Sequence, residues 1–197
     1  MPHVTEGEES RRDQILREAT RIFSEKTYHG TSVKDIADAI GILKSSLYYY
    51  ISSKERLLFD IIVETVLTLK EDLLPLEVTG LDPLEKLRQV ILAIVKFNAS
   101  HREVGVLWLT EQHVISSSPL NKEEVTELLE QRNRLLKNIL TEGMEKGVFQ
   151  RLDIRMTSLS IVGLCNSVLD WYEPSGRLSY EEIADFYFQF VKQGIAA

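Results

Sequence analysis

Residues 33–50 read Val33-Lys34-Asp35-Ile36-Ala37-Asp38-Ala39-Ile40-Gly41-Ile42-Leu43-Lys44-Ser45-Ser46-Leu47-Tyr48-Tyr49-Tyr50, and this stretch decides the fold. Ile36, Ile40, Leu47 and Tyr50 fall where two short helices meeting at a corner bury their side chains. Ala37 is small at the point where the second helix must cross closely. Gly41 stands where the first helix must end in a left-handed turn, a conformation that glycine enters without a side-chain penalty. Ile42 then plugs the corner, and Lys44 opens a second helix. Two helices joined by such a turn form a helix-turn-helix, whose second helix lies in the DNA major groove. An ordinary helical hairpin shares the core spacing, so the flanking residues carry the decision.

Upstream, Ile15, Ala19, Ile22 and Phe23 recur with helical spacing. Ser10 is placed to cap that helix, with Asp13 completing a capping-box-like start, and the helix stops near Lys26. Gly30 supplies the turn, and Thr31 or Ser32 caps a helix over 33–40, with the recognition helix over 44–50. Downstream, Ser52 and Ser53 open a long helix over 53–74. The stretch from Pro75 to Pro83 is the clearest break in the chain. Pro83 suits the first turn of the next helix, whose Leu84, Leu87, Val90, Ile91, Ile94 and Val95 predict deep burial. Further helices are expected over 102–115, from an Asn121 cap to Lys146 with Gly147 as the stop, over 153–172 and over 179–194. No alternation is long enough for a strand. The expectation is an all-α chain of about nine helices. It comprises a polar, disordered tail (1–9), a three-helix head (10–52) and a helical C-terminal domain (53–197).

The chain has 197 residues and a net charge of −7, which at first speaks against nucleic acid. The distribution reverses that. Residues 10–57 hold nine Lys and Arg against six Asp and Glu, and residues 58–197 hold fourteen against twenty-one. The single net-positive segment is the one with the helix-turn-helix spacing, as expected of a DNA-reading head on an acidic body. The apolar runs are far short of the ~20 residues a membrane span needs. The N-terminal residues do not resemble a secretion signal. Cys165, the lone cysteine, lies in an apolar stretch and reads as a buried thiol in a reducing compartment, so the expected address is the cytoplasm.

Gly30-Thr31-Ser32, Val33 to Ala37, Gly41 to Tyr50 and Ser53-Lys54-Glu55 together resemble the DNA-binding head of the TetR family of bacterial transcriptional regulators. The resemblance spans about Ile15–Leu58 without an insertion. It implies a homodimer whose C-terminal domain binds a small effector. Leu43 departs from the family pattern, standing where many relatives have a polar residue that caps the recognition helix.

On this reading Thr31, Lys44, Ser45, Ser46, Tyr48, Tyr49 and Lys54 touch DNA. Lys44, Ser45 and Ser46 begin the recognition helix, and short side chains there allow close approach to base edges. Tyr48 and Tyr49 offer hydroxyls to phosphate or rings to thymine methyls, while Tyr50 is a packing residue. Thr31 and Lys54, at two other helix starts, grip the backbone. Arg11 and Arg12 could add phosphate or minor-groove contacts, or simply form a solvated helix face. The resemblance also implies that the last two helices pair with their symmetry mates as a four-helix bundle, through Leu159, Val162, Val168, Tyr187, Phe190 and Val191.

Asp170-Trp171-Tyr172-Glu173-Pro174-Ser175-Gly176-Arg177-Leu178-Ser179, with Glu182-Ile183-Ala184, is similar to a subgroup of TetR-like regulators. That subgroup controls fatty-acid, steroid-ring and related acyl catabolism in response to acyl-CoA thioesters. Trp108, Gln112, His113, Trp171 and Arg177 are the candidate effector-pocket residues, with Arg102 a second cation for the CoA phosphates. The rival readings are a repressor of an efflux pump sensing amphipathic drugs, and a helical carrier without DNA function. No phosphate loop, metal-ligand spacing or nucleophile elbow is present, so an enzyme, a metal and a cofactor are not expected.

Overall fold

The computed structural model of the chain describes residues 10–117 and 122–197. The expected tail (1–9) and the Asn121 cap lie outside the described residues. Among these, ten helical segments follow one another: α1 (Arg11–Lys26), α2 (Val33–Ile40), α3 (Lys44–Leu47), α4 (Lys54–Glu77), α5 (Pro83–Ser100), α6 (Arg102–Ser117), α7 (Lys122–Glu145), α8 (Ile154–Asn166), α9 (Val168–Trp171) and α10 (Tyr180–Ile195). One isolated antiparallel bridge joins Phe149 to Ala196. The helices fall into two compact units. One holds the described parts of 1–64 and 106–122, and the other holds 65–105 and 123–197.

Local chemistry sets most helix starts. The Ser10 hydroxyl accepts the Asp13 amide at α1, and Asp82 accepts the Leu84 and Glu85 amides at α5, with Pro83 in the first turn. Ser32 with Asp35 at α2, and Ser179 with Glu182 at α10, form complete capping boxes. Each such cap contributes about 1 kcal/mol.

In the first unit Ile15, Ile22, Phe23, Ile36, Ala37, Leu47, Leu57, Leu58 and Ile62 form the buried core. The start of α4 thereby completes the hydrophobic floor beneath the corner. Arg12 of α1 pairs with Asp60, 3.7 Å away, and with Glu64 of α4, which occupies a cation read above as a possible phosphate contact.

In the second unit α5 is central, packed by α10 and α8. Leu87, Val90, Ile91, Ile94 and Val95 are at most 1% exposed, in keeping with a helix apolar on nearly all sides.

Four local features differ from expectation, each for a physical reason. The helix over 53–74 continues through Pro75 to Glu77. Pro75 sits in the last turn, where one lost amide bond ends the helix rather than kinking its middle. The turn after α1 is made by Thr27, at φ 64°, and not by Gly30. A Cβ on Gly30 would lie 2.2 Å from the Lys26 carbonyl oxygen, so the glycine supplies space. The recognition helix closes after Leu47, and Tyr49 and Tyr50 donate to Ser46 and Leu47 carbonyls in tighter turns. This tighter winding carries Tyr50 outward to 47% exposure and puts Ile51 into the core at 6%. Tyr50 is therefore not the packing residue of the corner.

The fourth difference is the break of the helix over 153–172 at Ser167. The buried Asn98 amide of α5 donates to the Cys165 carbonyl at 3.1 Å and to Asn166 Oδ1 at 3.2 Å. The Ser167 hydroxyl takes the Leu164 carbonyl at 2.7 Å. Side chains inserted into the helical ladder divide it in this way. Arg102 then donates to the Leu169 carbonyl at 2.8 Å and the Asp170 carbonyl at 3.4 Å, capping α9. Its guanidinium is thus engaged within the protein, where a free cation for a ligand phosphate was expected.

Candidate nucleic-acid interface

Gly41 closes α2 in the left-handed region, at φ 72° and ψ 35°. Ile42 donates back to the Ala37 carbonyl at 3.0 Å, so the chain reverses within two residues. Leu43 then precedes α3 with no side-chain cap, its own side chain 73% exposed. Its carbonyl nonetheless accepts the Ser46 and Leu47 amides. Leu47 is fully buried and anchors the short helix. Around that anchor Lys44 and Ser45 are exposed, Ser46 is half-buried, and Tyr48 and Tyr49 stand out at 48% and 89% exposure. The anchored turn presents an ammonium, two small hydroxyls and two phenols outward from one place.

Thr31 and Lys54 do not join that surface. Thr31 is buried, and its hydroxyl donates to the Thr27 carbonyl at 2.8 Å. The Lys54 ammonium donates to the carbonyls of Tyr28 and Thr31, both at 2.9 Å, and lies 4.1 Å over the Tyr28 ring. Two of its three donors therefore hold the loop around the positive-φ Thr27, and the ring takes part of its charge. In the DNA-free chain Thr31 and Lys54 thus hold the loop and stand apart from the exposed patch. Nothing in the sequence marks Lys54 for carbonyls 23 and 26 residues away.

Of the candidate interface residues in the second unit, Leu159 and Phe190 are exposed at 57% and 63%, and Val162 is half-buried. Val168, Tyr187 and Val191 are buried in the core of this unit, with Val191 at its edge, where it lines a surface depression beside Phe190. The Tyr187 hydroxyl is bonded to that of Ser167 at 2.8 Å. Two residues missed by the sequence reading, Met156 and Phe186, are exposed at 58% and 66%. Met156 and Leu159 on α8, and Phe186 and Phe190 on α10, form stripes at helical spacing. The available sign was that each helix has more apolar residues than one face can bury.

The candidate effector residues divide between the units. Trp108 is half-buried and His113 exposed on α6 in the first, while the Gln112 side chain lies outside the described residues. Trp171 and Arg177, both exposed, line one surface depression of the second unit with Tyr172, Glu173, Gly176 and Leu178.

An exposed recognition turn on a buried corner, in a chain that also carries a second helical unit, is the arrangement of a helix-turn-helix DNA-binding regulator. A profile described as bacterial regulatory proteins, tetR family, matches residues 15–61, and one described as tetracyclin repressor-like, C-terminal domain, matches residues 80–195. The chain belongs to the TetR family; it is a transcriptional repressor of that type and not an enzyme. The HTH-type transcriptional repressor KstR2 of Mycolicibacterium smegmatis is 31% identical over 187 residues, covering 94% of this chain and 91% of the relative. The solved structure of the ketosteroid transcriptional regulator KstR2 of Mycobacterium tuberculosis superposes with a TM-score of 0.89 at 26% identity, over 99% of this chain and all of that one. AibR, solved with isovaleryl coenzyme A and operator DNA, is alike in fold, with a TM-score of 0.80 at 24% identity over 92% of this chain and 97% of that one. No helix among the described residues is long and apolar enough to cross a membrane.

Proposed function

We propose that this repressor is a homodimer that leaves its operator when an acyl-CoA thioester binds its C-terminal unit. Lys44, Ser45, Ser46, Tyr48 and Tyr49 are its DNA surface. The observation that carries this is their joint exposure around buried Leu47, at the helix that enters the groove. Lys44 neutralises phosphate, the serines permit close approach, and the phenols reach backbone oxygens or thymine methyls. A two-fold dimer reads half-sites about 34–36 Å apart.

The dimer face is the stripe of Met156, Leu159, Phe186 and Phe190. Apolar side chains of this size gathered on two adjacent helices are costly to leave in water and suit a self-complementary surface. Gly163 and Gly194 on the same helices border open space, which leaves room for a partner helix to approach.

The effector class is supported by relatives: KstR2 is called a ketosteroid regulator, and AibR was solved with an acyl-CoA. The Trp171–Ser179 motif points the same way. Coupling runs through α4, which contributes its first part to the DNA-reading unit and its last part to the other. An effector that binds one setting of α4 better by a few kcal/mol shifts the population of heads that fit the operator.

The test is operator-binding anisotropy with calorimetric titration of acyl-CoAs, the matching free acids and free CoA. Tight binding of the thioesters, with release from DNA, is expected. Release by cationic dyes with no response to any thioester would overturn the effector assignment.

A further inference from the structure

Arg132, on α7, faces an apolar cleft in the second unit that α7 forms with the end of α4, where Leu69, Leu73 and Leu135 line it. Its Nε is buried and has no hydrogen-bond partner among the described residues. The one hydrogen bond of the guanidinium among them is a 3.4 Å contact from Nη2 to the side-chain oxygen of neighbouring Asn133. Burial pushes its pKa down from the ordinary arginine value. The ionisable group that acts on it, the Cys165 thiol, is pushed by burial up to about 12 and carries no charge near neutrality. The other charged residues of the cleft are Lys70 and Glu77, and Glu77 is exposed and makes no ion pair with Arg132. The side chain is half-buried, and a buried Nε–H without an acceptor is costly, so natural proteins keep such groups paired.

We infer that Arg132 is the receptor for a free carboxylate on an otherwise apolar ligand that enters between α4 and α7. The planar fork of a guanidinium matches a carboxylate bidentately, and burial strengthens the pair. In an acyl thioester the first carboxyl is already joined to sulfur. The group read by Arg132 is then a second carboxylate carried on the acyl portion. This deepens the effector reading above and rests on the second unit being the effector unit. The cleft has a free volume of about 20 Å³, little more than one water needs. A ligand must therefore part α4 from α7, and α4 is the helix that continues into the DNA-reading unit.

The experiment titrates the full-length protein and its Arg132→Met variant with decanoate and decanol, and with octanedioyl-CoA and octanoyl-CoA. The wild type should bind the carboxylate member of each pair about ten-fold tighter. In Arg132→Met both ratios should fall to near one, while the unliganded variant unfolds at a higher temperature because an unpaired buried charge is gone. Should the methionine variant fail to fold, Arg132→Gln carries the same expected loss of ratio. Ratios near one in the wild type, or unchanged in the variants, overturn the site. Operator release by octanoyl-CoA with ratios near one sinks the Arg132 site and leaves the effector reading standing. A preserved decanoate ratio with no release by either CoA ester does the reverse.

Discussion

Two regions of this protein each expose a group of aromatic side chains to water, and they differ in what surrounds the rings. At the recognition turn Tyr48 and Tyr49 carry hydroxyls and stand beside Lys44 and two serines. On α8 and α10 the exposed large side chains are Met156, Leu159, Phe186 and Phe190, none of which carries a polar tip of its own. A phenol rests in water at modest cost and keeps a handle for phosphate, so the first surface suits a hydrated, charged partner. A hydrocarbon stripe gains only by excluding water, so the second suits another apolar surface. Exposure alone does not separate the two; the polar handle does.

The largest effect should come from placing a charge in the second surface. In the proposed dimer, Phe190→Glu introduces an unpaired carboxylate that a two-fold interface would bury twice, at several kcal/mol per copy. Monomer by light scattering and at least a hundred-fold weaker operator binding are expected. A fully dimeric variant moves the interface elsewhere and breaks the comparison.

Next come the two lysines of the head, which sharpen it. Lys54→Met should lower folding stability by about 1–3 kcal/mol, because it leaves the Tyr28 and Thr31 carbonyls unpaired. Its salt dependence of DNA binding should match the wild type. Lys44→Ala should show the opposite pattern, with the slope of log affinity against log salt reduced by about one and stability unchanged within about 0.5 kcal/mol. Interchanged results would return Lys54 to the DNA surface. Tyr49→Ala should weaken operator binding with no shift in the urea midpoint, given its 89% exposure.

The smallest effects concern the α2 cap. Ser32→Ala should cost about 1 kcal/mol in urea unfolding. The Ser32 hydroxyl, and then the Ser32 amide, hold the Asp35 carboxyl below its ordinary value of 3.8. A depressed folded-state pKa means the box contributes fully above that value, and its contribution fades as pH falls through the folded one. Asp35→Asn should abolish this portion of the acid-side loss; an unaltered pH profile would remove the box as its source.

The sequence by itself determined what is local. Ser10, Ser32 with Asp35, Asp82 before Pro83, and Ser179 with Glu182 act on amides two or three residues away, and Gly41 needs only its own backbone freedom. The all-α fold, the helix-turn-helix and the exposed recognition residues follow from those short distances plus apolar spacing. What the tertiary structure decided was choice among equivalent local options. Tyr50 and Ile51 are both apolar enough for the corner, and the tight winding after Leu47 selected Ile51. Val168, Tyr187 and Val191 share helical spacing with Leu159 and Phe190, but only packing on α5 and its neighbours shows which face is inside. The break at Ser167 depends on Asn98, 67 residues from the carbonyl it takes. Lys54 is directed to its loop and Arg132 to its cleft by neighbours far along the chain. Long side chains with several donors gain their roles from whatever the fold brings within 3 Å, and sequence spacing does not encode that.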